Sequence, residues 1–98
     1  MNNYDIVIVG AGISGLYCAL KLQNKYNILL IEKKCILGGR IFTDKIKSKS
    51  NDYSFEVGAG RVASSHLKVL NLIKELELDN NLIQIPTNKT FISTQNNN

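Results

Sequence analysis

The chain has 98 residues, 44% of them hydrophobic and 20% charged, with a formal net charge of +4. That length holds one small domain with a thin stability margin and excludes a two-domain enzyme, while the apolar content excludes disorder throughout. The excess charge rests on ten lysines and two arginines, Arg40 and Arg61; the lysines are scattered, and the run Lys45, Lys47 and Lys49, without interleaved aromatics, reads as a solvated loop rather than a nucleic-acid surface.

Residues 4–9 (YDIVIV) form a continuous β-branched run, as in a strand buried on both faces of a parallel sheet. A glycine-rich turn, Gly10 to Gly15, follows at once. From Ser14 to about Asn24 the pattern is helical, with Leu16, Ala19 and Leu20 on one apolar face. Residues 24–27 are a polar break, and residues 27–32 (NILLIE) read as a second buried strand ending in a carboxylate. Strand, helix and strand within about thirty residues make a βαβ unit, whose crossover is expected to be right-handed.

Residues 33–40 read as a loop closing on Gly38 and Gly39, and residues 41–44 as a short strand. Residues 45–52 are polar and are expected to form a mobile loop. Residues 53–57 (YSFEV) alternate like a partly exposed strand, which Gly58, Ala59 and Gly60 end. Ser64 or Ser65 is expected to cap a helix running to about Leu78, with Val69, Leu70, Ile73 and Leu76 as its core stripe. Asp79, Asn80 and Asn81 stop it. Residues 90–94 suggest one more strand before a polar tail at 95–98. The fold expected is α/β: a Rossmann-type βαβ unit with a short β segment and one further helix.

Little else in the composition carries chemistry. Asn, Ile and Lys supply 34 residues, the mark of AT-rich codons rather than of phosphate contacts. Cys18 and Cys35 lack metal-ligand spacing, and with one histidine a zinc site has too few ligands. They read as reduced thiols. The uncharged stretch 6–20 is too short to span a membrane and has no basic residues before it, so a cytoplasmic location is expected.

The chemistry lies in Gly10-Ala11-Gly12-Ile13-Ser14-Gly15, a G-x-G-x-x-G between strand and helix. Gly10 permits the tight turn, Gly12 lets a pyrophosphate approach the main chain, and Gly15 lets the helix lie close to the sheet. The pyrophosphate then rests on the N–H groups opening the helix, around Ile13 and Ser14, where the macrodipole favours negative charge. Glu32, twenty residues after Gly12, is placed to accept hydrogen bonds from an adenosine ribose and to repel a 2′-phosphate. Glycines and carboxylate together indicate an adenine dinucleotide.

Glu32 is followed by Lys33 and Lys34 and then by Gly38-Gly39-Arg40. With these motifs the chain resembles the flavin-dependent amine oxidase superfamily, which also holds protoporphyrinogen oxidases, carotenoid desaturases and L-amino-acid oxidases. The resemblance continues through residues 55–58 (FEVG) to the helix ending Ile73-Lys74-Glu75-Leu76, and so covers most of residues 4–78. It implies FAD as cofactor, with Arg40 on its phosphates or nearby atoms, a role that suits a bidentate guanidinium. Gly58-Ala59-Gly60-Arg61 is similar to the Gly-Pro-Met-Arg stretch of L-amino-acid oxidases, departing at Ala59 and Gly60. On that likeness the stretch lies along the flavin, and Arg61 binds a substrate carboxylate; the alternatives are a second FAD contact or a surface cation. His66 reads as a solvated side chain.

The activity the resemblance implies is oxidation of a C–N bond in an amine or amino acid, a hydride equivalent passing to the flavin and oxygen reoxidising it. Members of the superfamily are several times longer. The chain is therefore expected to hold the adenosine and pyrophosphate half of an FAD site, with a complementing chain supplying the substrate domain. Two other readings stand: an NAD-binding module, against which the Arg40 motif argues, and a non-catalytic remnant of such an enzyme.

Overall fold

A computed structural model describes residues 2–86. The chain divides into two compact units, Met1–Arg61 and Val62–Asn98. The strand expected at residues 90–94 lies outside the described residues.

The first unit opens with β1 (Ile6–Val9), α1 (Ile13–Leu22) and β2 (Ile28–Ile31), and β1 pairs β2 in parallel with Ile6 opposite Ile28 and Val9 opposite Ile31. Both strands are shorter than the ranges 4–9 and 27–32 read from the sequence and coincide with their apolar runs. At their leading ends Asp5 turns its side chain to the neighbouring strand, its Oδ2 accepting the Asn27 N–H at 2.8 Å. At the other end of β2, Glu32 leaves the ladder. The helix starts one residue early, at Ile13, with Gly12 as its N-cap. Leu16, Ala19 and Leu20 are half-buried, as their spacing predicts.

Burial departs from the sequence reading. Among the described residues Ala11 alone is fully buried, at 0% exposure. Ile6 and Ile8 are half-covered, but Val7 and Val9 remain 54% and 82% exposed. The expectation of a strand covered on both faces is corrected: alternation along β1 sends these two valines to the uncovered face.

The segment expected to be a mobile loop, residues 45–52, is half strand, with only residues 48–51 forming the turn. β3 (Thr43–Lys47) and β4 (Asp52–Glu56) form an antiparallel hairpin with Thr43 opposite Glu56 and Lys47 opposite Asp52. Ser48 N–H closes its turn on the Asn51 carbonyl at 3.0 Å. Every residue of both strands is exposed, so backbone pairing rather than apolar burial holds them. The short strand expected at residues 41–44 begins instead at Thr43.

The second unit carries α2 (Leu67–Glu75) and one turn of 3-10 helix at Asp79–Asn81. The N-cap is His66 rather than Ser64 or Ser65, which lie in the preceding turn. His66 Nδ1 accepts the Ala63 N–H at 3.3 Å, so the imidazole helps to close that turn. The helix stops short of Leu78 because Glu77 takes a left-handed φ of 58°. That geometry lets Leu78 N–H reach the Ile73 carbonyl at 2.9 Å and Glu77 N–H the Lys74 carbonyl at 3.0 Å, satisfying carbonyls that the helix leaves open. Val69, Leu70, Leu72 and Ile73 are half-buried, whereas Leu76, expected in the core stripe, is exposed. Among the described residues no helix is long and apolar enough to cross a membrane.

Candidate functional site

The site is assembled where β1 ends. Gly10, at a φ of 100°, turns the chain sharply, and its N–H still donates to the Ile31 carbonyl at 2.7 Å. The turn is therefore pinned to the end of β2. At Gly15 the chain of α1 passes so close that a side chain would strike the Gly10 carbonyl oxygen, with Ile8 Cγ2 at 3.4 Å beyond it. Close helix-to-strand approach needs Gly15, as the motif predicts.

Gly12 differs. Its φ of −76° and ψ of −179° suit any residue, and a Cβ there would meet only Gly39 Cα at an ordinary 3.9 Å. Nothing in the chain's own packing around Gly12 requires glycine. The helix it opens has no side-chain cap hydrogen bond and no acidic residue in its first turn. The N–H groups of Ile13, Ser14 and Gly15 lie in that first turn, beyond the reach of any intrahelical acceptor, and carry the positive end of the helix dipole.

Glu32 joins the turn directly. Its Oε2 accepts the Ala11 N–H at 2.7 Å and its Oε1 accepts the Lys34 N–H at 2.9 Å. The Ala11 N–H, then the Lys34 N–H, hold its carboxyl below the ordinary carboxylate range; the Lys33 N–H and the Lys34 charge add to this, and desolvation opposes it. Because the folded pKa is the lower one, the contribution is complete above the unfolded value and is lost as pH falls through the folded one. The Ala11 and Lys34 amide resonances are expected to titrate together, at a pH below the ordinary glutamate value. A two-dimensional amide NMR titration checks this; a midpoint at or above that value overturns it.

A second glycine pair packs beside the first. Gly38 N–H donates to the Ala11 carbonyl at 2.8 Å, and Gly12 and Gly38 form a parallel bridge. Gly39, at a φ of 62°, lies so near that a Cβ on it would be 3.1 Å from Gly12 Cα. The hairpin register then runs on past β3 and β4: Val57 N–H donates to the Phe42 carbonyl at 2.9 Å and Ala59 N–H to the Arg40 carbonyl at 3.0 Å. Gly58 sits against Arg40, whose carbonyl oxygen occupies the place a side chain would take. Gly10, Gly12, Glu32, Gly39, Arg40, Gly58 and Ala59 thus belong to one continuous backbone network.

Gly60 and Arg61 extend past that network. Gly60 packs toward Glu56, whose Cβ would lie 2.9 Å from an added side chain, and Arg61 is exposed on irregular backbone. Two participants stand in the motifs without having been assigned a role, Ala11 and Gly38. Ala11 fills a variable position of the motif, and its contribution is main-chain; its small size was the available signal. Gly38 is marked by its pairing with Gly39.

A glycine turn between a parallel strand and a helix, faced by a strand-end carboxylate, defines the Rossmann class of dinucleotide-binding folds. Residues 8–76 match the NAD(P)-binding Rossmann-like domain family. The chain is 40% identical over 77 residues to flavin-containing amine oxidase A of Sus scrofa, covering 76% of this chain and 14% of that protein. It is 37% identical over 82 residues to UDP-galactopyranose mutase of Mycoplasma genitalium, covering 82% of this chain and 20% of that one. Wild-type putrescine oxidase, in a structure bound to putrescine, superposes with a TM-score of 0.67 at 33% identity, over 76% of this chain and 16% of that chain. The chain belongs to the NAD(P)-binding Rossmann-like family, and its relatives place it with the N-terminal segment of the flavin amine oxidase superfamily. It spans about 14% of the length of the amine oxidase it matches.

Proposed function

We propose that this chain binds FAD through its adenosine and pyrophosphate. The observation that carries the reading is Gly12, a glycine that the packing around it does not need, at the N-cap of a helix whose opening N–H groups have no side-chain cap. A pyrophosphate approaching that backbone gives the missing side chain a reason. Glu32 suits the ribose, because each carboxylate oxygen retains a lone pair beyond the one engaged by Ala11 or Lys34. Lys33 and Arg40 add positive charge, and the backbone network of Gly38, Gly39, Gly58 and Ala59 fixes where Arg40 starts. Gly60 and Arg61 follow on irregular backbone, and Arg61 would meet a substrate carboxylate or the cofactor.

When bound, a flavin would supply the redox chemistry: oxidation of the C–N bond of an amine or amino acid to C=N, with a hydride equivalent lost from the carbon next to nitrogen and a proton from the nitrogen. The likeness to amine and putrescine oxidases supports that substrate class. The protein's share is to bind and orient. A parallel sheet needs cover on both faces, and Val7, Val9 and Ile31 are exposed. We propose that polypeptide equivalent to the relatives' substrate domain covers them, in the manner of a complementing chain.

Titrating the purified chain with FAD, and following quenching of flavin fluorescence, tests the reading. Saturable binding is expected. Gly12→Ala is expected to weaken it about tenfold or more, the effect of losing about 1.4 kcal/mol, with an unchanged far-UV circular dichroism spectrum. A chain that leaves FAD fluorescence unchanged, or that binds NAD in preference, overturns the proposal.

A further inference from the structure

Glu32 touches both ends of the site before any ligand is present. Its two oxygens bind main-chain N–H groups 23 positions apart in sequence, at Ala11 and Lys34. Ala11 is the fully buried residue, and its carbonyl is taken by Gly38 N–H at 2.8 Å. Its own N–H therefore depends on Glu32, by a short bond of 2.7 Å to an ionised acceptor. A buried donor left without an acceptor drives its backbone to rearrange. Here that backbone is the turn between Gly10 and Gly12.

We infer that Glu32 is also a positioning residue: its carboxylate fastens the glycine turn to the segment after β2, and so sets the geometry of the phosphate site independently of any contact with a ribose. The inference rests on reading this turn as a nucleotide site. It assigns one side chain two separable tasks, holding Ala11 and meeting sugar hydroxyls.

Those tasks respond differently to substitution. Glu32→Ala removes both acceptors. Glu32→Gln retains one side-chain oxygen, which suffices for the buried Ala11 N–H while the exposed Lys34 N–H turns to water. The readouts are hydrogen exchange of the Ala11 amide without ligand, and affinities for ADP and 2′,3′-dideoxy-ADP on the full chain. In E32A the Ala11 amide is expected to exchange at least about tenfold faster, and dideoxy-ADP to bind about tenfold more weakly, the loss of one hydrogen bond to a charged acceptor. In E32Q both values are expected to stay within about twofold of the parent, while ADP alone loses affinity through its ribose. If E32A leaves the Ala11 exchange rate and the dideoxy-ADP affinity unchanged, Glu32 acts on the sugar only and the inference is overturned. Should E32A fail to fold, E32D carries the test: its carboxylate is one methylene short of Ala11, and unchanged exchange there overturns the inference equally. A parent chain that binds neither nucleotide defeats the cofactor reading, and the exchange rates still decide the positioning role.

Discussion

Gly15→Ala is expected to cost the chain its folded state, or at least to lower its urea midpoint sharply. Two effects oppose each other at this position. Alanine in place of glycine within a helix gains about 1 kcal/mol of intrinsic propensity. Against that, the new methyl group would land on the Gly10 carbonyl oxygen, with the Gly10 carbonyl carbon at 3.1 Å and Ile8 Cγ2 at 3.4 Å. A flexible side chain could move aside, but a carbonyl oxygen cannot move without its backbone. Gly10 is pinned by its own N–H to the Ile31 carbonyl, so relief requires α1 to lift from β1 or the turn to leave β2. Overpacking of this kind costs about 1–3 kcal/mol, and collision with main chain lies at the upper end. The steric term wins.

The consequence is large because the fold has little in reserve. One residue is fully buried among those described, and both strands of the hairpin are exposed along their length. Urea unfolding followed by circular dichroism checks the prediction, with Gly12→Ala as the comparison. Gly12→Ala should keep the parental midpoint, since its Cβ meets Gly39 Cα at 3.9 Å. An unchanged or raised midpoint for Gly15→Ala would show that the helix approaches the strand less closely than these contacts require.

This contrast also explains what the sequence could reveal. The motif assigns Gly15 to helix packing and Gly12 to a phosphate, and the structure bears out the first: the packing requires glycine at Gly15 and does not require it at Gly12. The βαβ unit was legible because β-branched runs, glycines and a helical stripe each speak for the same arrangement. The hairpin was legible only in part: residues 53–57 read as a strand, but Lys45 and Lys47 break the apolar pattern of β3, and an exposed antiparallel pair is held by backbone groups that every residue possesses. Burial of β1 was overread for a related reason. The run Ile6 to Val9 records two apolar faces, but α1 covers only one, and Val9 is left 82% exposed. At the site, Glu32 was found by its spacing from Gly12. Its partner Ala11 was not, since an N–H carries no signature in residue type. In α2, capping by serine was expected from propensity, and the hydrogen bond from Ala63 N–H to His66 overrode it.

Gly58→Ala is expected to act at a distance from the glycine turn, on Arg40. The Arg40 carbonyl oxygen sits where the new side chain must go, with its carbonyl carbon at 3.0 Å and Cα at 3.7 Å from that point. The Arg40 carbonyl also accepts the Ala59 N–H, so substitution pries apart the end of the hairpin register that fixes this arginine. The three atoms nearest the inserted methyl group all belong to Arg40, so circular dichroism should keep the signal of β1, α1 and β2. FAD affinity should fall about tenfold, close to the 1.5–3 kcal/mol typical of a hydrogen bond to a charged group. A double-mutant cycle locates the cause. If Gly58 works by placing the Arg40 guanidinium, then once Arg40→Ala has removed that group, Gly58→Ala has little left to lose, and the combined loss is markedly less than the sum. Strictly additive losses would mean that Gly58 meets the cofactor itself and that the hairpin does not govern Arg40. The cycle thereby separates two roles a glycine can play beside a cofactor: yielding space to the ligand, or yielding space to the backbone of the residue that holds it.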